Sequence, residues 1–310
     1  MSTRASVMGN KRKKEVVETL AQIIFTICAS FAILAVVSIT IYMIVGGTPA
    51  ILQVGLKDIL FSTEWKPTAD SPQFGILYVI LASITGTILA VLIGVPISLF
   101  AAIFLAEVAP KRLTKVVKPA VELLAGIPSV VYGLLGIYLL NPLMYKLEMF
   151  IFTDSETHQF TGGANLISAV LVLAIMILPT VINTSETALR AVPTHIKATS
   201  LALGATPIQS IFKAIIPAAK SGIITGVVLG IGRAIGEAMA ISLVSGSSVN
   251  LPLPFNSVRF LTTAIVSEMG YAQGVHRQVL FTIGLVLFVF IMIINITLNR
   301  ILKKGALENE

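Results

Sequence analysis

The sequence predicts an all-α polytopic membrane protein with about six transmembrane helices. The chain is 55% hydrophobic and 12% charged, whereas a soluble domain carries about 25% charged residues. It also contains six apolar stretches close to the roughly 20 residues that a membrane-spanning helix needs. The six stretches are approximately Leu20–Val45, Phe74–Ala106, Ala120–Leu140, Asn165–Ser185, Pro217–Val244 and Val279–Asn299.

These stretches divide the chain into four regions. We expect a cytoplasmic N-terminal arm (1–19), a first transmembrane helix with an outer loop (20–73), a main transmembrane domain (74–303) and a cytoplasmic tail (304–310). The first stretch follows the basic run 11–14, as the h-region of a signal peptide does. It is longer than an h-region and lacks an Ala-x-Ala cleavage site, which predicts a retained anchor.

The positions of the lysines and arginines predict the orientation. Because short cytoplasmic loops are enriched in Lys and Arg, both termini are expected in the cytoplasm, in a multi-pass protein of the cell membrane. The net charge of +7 then follows membrane topology, and no nucleic-acid partner is expected. Loops 46–73, 141–164 and 245–278 would lie outside, either as docking surfaces or as connectors. The basic residues expected inside are Arg4, Lys11, Arg12, Lys13, Lys14, Lys111, Arg112, Lys115, Lys118, Arg190, Lys197, Lys213, Lys220, Arg300, Lys303 and Lys304.

One charged pair lies inside the fifth stretch. Arg233 and Glu237 are the only ionisable residues between Ser221 and Val258. Ionisable residues within a membrane span are costly and commonly mark a transport path. At a spacing of four residues, the two side chains would share one face of a continuous helix. The pair predicts either an ion bridge between helices or a charged point on a translocation path, most simply for an anion.

The connection between the fourth and fifth stretches predicts two short helices joined by a glycine. Pro193 can open the first helix, and Gly204 can end it in the left-handed conformation. Thr206 suits an N-cap, with Pro207 at the first helical position, and Pro217 can restart the next helix. We call residues 190–217 the 190–217 connection. One apolar face of its second helix is predicted to consist of Ile208, Ile211, Phe212 and Ile215. The connection is expected at the cytoplasmic surface, either as a docking site or as an ordinary amphipathic loop at the membrane interface.

Other patterns narrow the function. Gly222, Gly226 and Gly230 share a helix face and favour close helix packing, although hinge motion is an alternative. The chain has no Gly-x-x-x-x-Gly-Lys-Ser/Thr motif, so it is not expected to bind or hydrolyse ATP. No cofactor is expected in this chain. The histidines are far apart in the sequence, and no metal site is expected.

Three segments carry a family resemblance. The set Ala198-Thr199-Ser200, Gly204 and Ile216-Pro217 resembles the cytoplasmic "EAA" loop of ABC-importer permeases, with Ala198 standing where that family has Glu. Trp65-Lys-Pro67 followed by Phe74-Gly-Ile-Leu resembles the entry to the second helix of phosphate permeases of the PstC type. Gly232-Arg-Ala-Ile-Gly-Glu237-Ala-Met-Ala resembles their fifth-helix signature.

The resemblance implies the type-1 permease fold of ABC importers and a role as one permease subunit of a phosphate importer. It implies a homologous second permease of the PstA type, two copies of a cytoplasmic ATPase and an extracytoplasmic phosphate-binding protein, all within membrane lipid. Arg233 and Glu237 would then line the path. The alternatives are a permease for sulfate or molybdate, and a channel or secondary anion transporter. The residues expected to couple to the ATPase are Ala198, Thr199, Ser200, Gly204, Pro207 and Pro217.

Overall fold

The computed structural model describes the backbone of residues 2–155 and 157–307 and the side chains of 17–155, 157–297 and 300. Side chains of the predicted arm up to residue 16 and of the predicted tail, 304–310, lie outside the described residues. The described chain is mostly helical, with one two-stranded antiparallel sheet, β1–β2. The elements are α1 (Ser2–Val54), α2 (Leu56–Phe61), β1 (Trp65–Lys66), β2 (Gln73–Phe74), α3 (Leu77–Ile103), α4 (Lys111–Ala125), α5 (Ser129–Leu135), α6 (Asn141–Ile151), α7 (Leu166–Arg190), α8 (Thr194–Ala202), α9 (Pro207–Ser210), α10 (Ile216–Ala218), α11 (Lys220–Gly236), α12 (Met239–Val244), α13 (Leu261–Glu268) and α14 (Gly274–Leu307).

Three short π-helical segments extend or link these helices: Phe104–Val108 after α3, Gly136–Leu140 between α5 and α6, and Ile211–Ile215 between α9 and α10. Within the described chain, five helical segments are long and apolar enough to cross a membrane. The pair Pro207–Ala218 and Lys220–Gly236, bent by 72°, makes a sixth if it counts as one span. The five are Val17–Val54, Leu77–Val108, Ser129–Ile151, Leu166–Arg190 and Gly274–Thr297. This confirms the predicted fold class.

The first span is longer than predicted. The sequence prediction ended it at Val45, before two glycines, but α1 continues to Val54. Gly46 and Gly47 serve a close helix contact: a Cβ on Gly46 would lie 2.9 Å from the ring of Phe281, and one on Gly47 would lie 3.1 Å from Thr282. The Thr282 hydroxyl donates to the Gly47 carbonyl at 3.1 Å. These glycines therefore let α1 pack against α14, and they do not end the helix.

The third span begins later than predicted. The expected helix Ala120–Leu140 is divided by a turn before Pro128, and its first part belongs to α4. The membrane-spanning segment is Ser129–Ile151, so residues 141–151 are helical and were wrongly placed in an outer loop. The physical reason is that proline cannot continue a helix hydrogen-bond ladder and disfavours helical geometry in the residue before it.

Helix α7 lies at the centre of the bundle. Two thirds of its most apolar window, 67%, is buried, compared with 28% for the spans through α3 and α14. It packs on α3, where a Cβ on Gly94 would lie 2.7 Å from the Ile177 side chain. The Asn165 side chain caps its start by accepting from the Ser168 amide at 3.1 Å, which confirms the predicted beginning of the fourth span.

Helix α11 packs on the other side of α7 through its glycines. A Cβ on Gly222 would lie 2.4 Å from the Ala188 Cβ, and one on Gly230 would lie 2.6 Å from the Val181 side chain. Small residues at this spacing allow helix backbones to approach closely. The packing role predicted for this stripe is confirmed.

A buried carboxylate joins the segments at one end of the bundle. Glu268, at the end of α13, accepts from the Trp65 indole at 3.1 Å and pairs with the Arg259 guanidinium. The His276 ring in α14 lies 2.6 Å from its second oxygen. Arg259 also donates to the Ser247 carbonyl at 2.7 Å. The β-hairpin, α13, α14 and the loop before α13 are therefore linked through one side chain.

Candidate functional site

Arg233 lies in the last turn of α11, as the only basic residue there. It is thirteen residues beyond Lys220, which places it about 20 Å along the helix, well inside a hydrocarbon core of about 30 Å. Its guanidinium donates to the Thr180 hydroxyl of α7 at 3.4 Å. The negative end of the helix dipole stabilises a cation at this position.

Glu237 does not pair with Arg233. Among the described side chains, no ion pair joins the two residues. The expected continuous helix Pro217–Val244 is wrong, because α11 ends at Gly236 and Glu237 has an extended backbone with ψ of 131°. The i,i+4 geometry that would have placed both side chains on one face is therefore lost. Arg233 has a helix terminus and a hydroxyl as its partners.

The carboxylate of Glu237 instead stabilises the start of the next helix. Its Oε1 accepts from the buried Ala240 amide at 3.0 Å, at the beginning of α12. A carboxylate at a helix N-terminus is favourable because it satisfies a free amide and complements the dipole. The Glu237 carbonyl accepts from the Thr262 hydroxyl at 2.6 Å. The break in the helix is thus held from both sides.

A helix break inside a membrane span has a functional meaning. Non-helical backbone at membrane depth is tolerated only where protein buries it or where it lines a water-filled cavity. Here the helix ends at Gly236, three residues after the half-buried Arg233. The geometry supplies a cationic donor beside an interrupted helix, which is suited to binding an anion transiently.

The sequence did not identify the hydrogen-bond partner of Arg233. Thr180 follows Pro179 inside α7. Its separation from Arg233 in the sequence and its common residue type gave no signal. Only the packing of α7 against α11 brings it near the guanidinium.

The 190–217 connection has the predicted local structure. Helix α8 follows Pro193, and Gly204 has a φ of +87°. The Gly204 amide donates to the Leu201 carbonyl at 3.0 Å, and the Ala205 amide donates to the Ser200 carbonyl at 3.2 Å. These two bonds form a Schellman motif, which requires a left-handed residue at this position. Gly204 therefore ends α8 as expected.

Helix α9 begins with the predicted cap. The Thr206 hydroxyl accepts from the Gln209 amide at 3.3 Å, the Gln209 side chain accepts from the Thr206 amide at 2.9 Å, and Pro207 occupies the first turn. This is a capping box. Pro217 lies in α10, which continues directly from the π-helical segment 211–215, so the predicted restart of a helix at Pro217 is wrong and the break before α11 falls at Ala219.

The predicted apolar face of this helix is only half correct. Ile211 and Ile215 are buried, whereas Ile208 is 69% exposed and Phe212 is 53% exposed. The π-helical turn over 211–215 changes the angular spacing of the side chains, so the four do not form one buried face. The turn after α8 adds Leu203, which is 84% exposed. The connection thus presents a patch of uncovered apolar side chains.

The six residues predicted for coupling lie together on the 190–217 connection. Ala198, Thr199, Gly204, Pro207 and Pro217 are exposed, and Ser200 is half-buried. Lys197 beside them forms an ion pair with Glu107, at the end of the second span. The structure does not bring these residues to Arg233. The predicted site residues therefore form two separate sites, joined along the chain by α11.

The bundle, the interrupted fifth span and the exposed helical connection together define a polytopic transport permease. Residues 94–306 match the family described as "Binding-protein-dependent transport system inner membrane component". The chain belongs to this family. Its members are components of transport systems of the inner membrane, which confirms a multi-pass membrane protein and a transport role.

Similarity to individual proteins extends over nearly the whole chain. It is 38% identical to "Probable ABC transporter permease protein YqgH" of Bacillus subtilis, with 97% of each chain covered. It is 35% identical to "Phosphate transport system permease protein PstC" of Xylella fastidiosa, covering 86% of this chain and 85% of that one. The protein of the same name from Pasteurella multocida is 31% identical, with 94% and 93% covered.

The fold has a solved counterpart. An inward-facing structure of the MetNI methionine ABC transporter aligns with 74% of this chain and 95% of that chain, with a TM-score of 0.55 and 20% sequence identity. The likeness supports the predicted type-1 permease fold.

Proposed function

We propose that this chain is a transmembrane permease subunit of an ATP-driven importer of inorganic phosphate, in which it forms the translocation path with a second permease. The observation that carries the path assignment is the position of Arg233 in the last turn of α11, three residues before the break after Gly236. Phosphate is favoured as the substrate by relatives at 31–35% identity that are named phosphate transport permeases.

The chemistry of Arg233 fits this role. A guanidinium has five N–H donors in a planar fork that matches the oxygens of a phosphate. The described contact of Arg233, to Thr180, is long at 3.4 Å and leaves most donors available. Because Glu237 is engaged with the Ala240 amide, the positive charge is not cancelled by a neighbouring carboxylate. A single donor residue also suits transport, since binding must be weak enough to allow release.

The partners follow from the family and from the exposed connection. We expect a homologous second permease of the PstA type, two copies of a cytoplasmic ATPase that hydrolyses ATP, and an extracytoplasmic phosphate-binding protein. We expect the ATPase to dock on the exposed side chains of Leu203, Ile208 and Phe212, because exposed apolar patches mark protein interaction sites. The Lys- and Arg-rich segments favour a cytoplasmic location for this connection and for both termini.

Two other functions make different predictions. A sulfate or molybdate permease would share the fold and the connection, and it would differ in which oxyanion competes for uptake. A channel or secondary transporter would need no ATPase and no docking surface on the 190–217 connection. The ordered Schellman motif and capping box there favour the ATP-driven importer.

The test measures the uptake of labelled phosphate by proteoliposomes that contain the assembled transporter. ATP is supplied on the side of the membrane where the ATPase subunits lie. We expect Arg233→Gln to reduce uptake at least about tenfold, the effect of losing one charge-assisted interaction of about 1.5–3 kcal/mol. Arg277→Gln, which alters an exposed arginine of α14, is the matched control and should behave as the unmodified protein. Near-normal uptake by Arg233→Gln would contradict the path assignment. Equal competition by sulfate or molybdate would contradict phosphate as the substrate.

A further inference from the structure

Helix α4 has two chemically different faces. Lys111, Lys115, Lys118 and Glu122 follow one another at intervals of three or four residues and therefore share one face. The opposite side carries exposed apolar residues, with Leu113 40%, Val116 70% and Leu123 75% exposed, and the exposed Arg112 borders it. A helix of this kind, with a basic face and an uncovered apolar face, is typical of the membrane interface.

The basic face borders an open cavity of about 750 Å³. The cavity lies where the second span ends at Val108 and the fourth span ends at Arg190, so it is at the membrane boundary. Leu105 and Arg190 form the wall opposite α4. Four cationic side chains and one carboxylate line this cavity: Lys111, Lys115, Lys118, Arg190 and Glu122.

The charges at the cavity are only partly neutralised. The buried Glu186 accepts from Lys118 at 2.8 Å and pairs with Arg190, whose guanidinium also donates to the Leu105 carbonyl at 2.8 Å. Among the described residues, Lys111 and Lys115 have no ion-pair partner within 4.0 Å. Two lysines thus remain for an external anion, next to a fixed network that holds the cavity wall.

We propose that this cavity binds the phosphate headgroup of an anionic phospholipid. Basic cavities between membrane helices at the cytoplasmic boundary attract such headgroups. The surroundings favour a lipid over free phosphate, because Phe104 and Val108 leave apolar side chains exposed at the same helix end, 43% and 59% respectively. These side chains and the apolar face of α4 provide contacts for acyl chains. The ligand class and the site are distinct from the path at Arg233.

The experiment uses the full-length chain purified with its partner subunits in neutral detergent and titrated with dioctanoyl phosphatidylglycerol. Bound lipid is counted by native mass spectrometry. Lys111→Gln with Lys115→Gln should raise the dissociation constant about thirtyfold, since each lysine near an anionic group contributes roughly a factor of five. The control, Lys57→Gln with Lys146→Gln, changes two exposed lysines remote from the cavity in sequence. The zwitterionic analogue, dioctanoyl phosphatidylcholine, whose headgroup has no net charge, should bind alike to all three proteins.

Each outcome decides the proposal. Loss of phosphatidylglycerol binding in the 111/115 variant alone supports it, provided that millimolar inorganic phosphate does not displace the lipid from the unmodified protein. Displacement by inorganic phosphate would assign the cavity to the free ion and overturn the lipid. Equal phosphatidylglycerol binding by the three proteins would show that these lysines do not form the site. Both substituted pairs are exposed, and the thermal midpoint of each variant confirms that folding is retained.

Discussion

Substitution of Glu237 separates the capping of α12, which the structure shows, from the ion bridge to Arg233, which was one of the two roles predicted from the sequence. Glu237→Ala removes the acceptor of the buried Ala240 amide, and an unsatisfied buried donor costs about 1–3 kcal/mol. Glu237→Gln keeps an acceptor oxygen on a side chain of nearly the same shape and loses only the charge. If the structural role of Glu237 is to cap α12, Gln should be close to the unmodified protein and Ala should be destabilised.

The expected falls in thermal midpoint differ between the capping of α12 and an ion pair between Glu237 and Arg233. The unfolding entropy is about 2.1 cal/mol/K per residue, and the chain has 310 residues. The cost of Glu237→Ala therefore corresponds to a fall of about 2–5 °C in the thermal midpoint. Glu237→Gln should lower the midpoint by less than about 1 °C. If Glu237 neutralised Arg233, either substitution would leave an unpaired buried charge. That costs about 3–5 kcal/mol, so both midpoints would fall by about 5–8 °C.

The assay is the loss of the monodisperse gel-filtration peak of the purified chain after heating. Glu64→Gln is the matched control, because Glu64 is 53% exposed and pairs only with the exposed Lys66 in the described structure. Such surface pairs contribute little to stability. A fall of 5 °C or more for Glu237→Gln, equal to that for Glu237→Ala, would refute the capping role and restore the ion pair.

Three further predictions concern transport, coupling and orientation. Arg233→Lys should restore only part of the uptake lost in Arg233→Gln, because an ammonium keeps the charge but lacks the planar donor fork; full uptake would show that charge alone suffices. Gly204→Val should reduce ATPase association and uptake at an unchanged membrane level, since a β-branched residue tolerates the φ of +87° poorly. Gly204→Asn, the residue that best tolerates this conformation after glycine, should retain most activity, and normal coupling in the Val variant would contradict the role of the turn. The orientation is tested in a chain with Cys28 replaced by serine. A cysteine at position 66 should react with an impermeant maleimide in intact cells, and a cysteine at position 111 should not. The reverse pattern would show that the predicted orientation is wrong.

The sequence predicted best those elements whose signals are local. Gly204 and the Thr206 cap are defined by residues a few positions apart, and both were correct in detail. The membrane helices were also recognised, because apolar length alone identifies a span. The family resemblance also rested on short segments, and two of the three, around Gly204 and around Arg233, lie within the match over residues 94–306.

The failures concern contacts between distant residues. Gly46 and Gly47 allow close packing against α14 because of their contacts with Phe281 and Thr282. No local sequence pattern distinguishes this role from the end of a helix. The break after Gly236 depends partly on Thr262, which lies 25 residues further along the chain. The i,i+4 rule applied to Arg233 and Glu237 assumed a continuous helix, and that assumption was wrong.

The single carboxylate of Glu268 has a consequence for how this subunit changes shape. It is 5% exposed and holds the indole of Trp65, the guanidinium of Arg259 and the ring of His276 at once. Any motion that separated these groups would leave a buried charge without partners, at a cost of about 3–5 kcal/mol. The hairpin, α13 and the start of α14 are therefore expected to travel as one rigid body. A change in the shape of this subunit would then occur at the borders of this body and not within it.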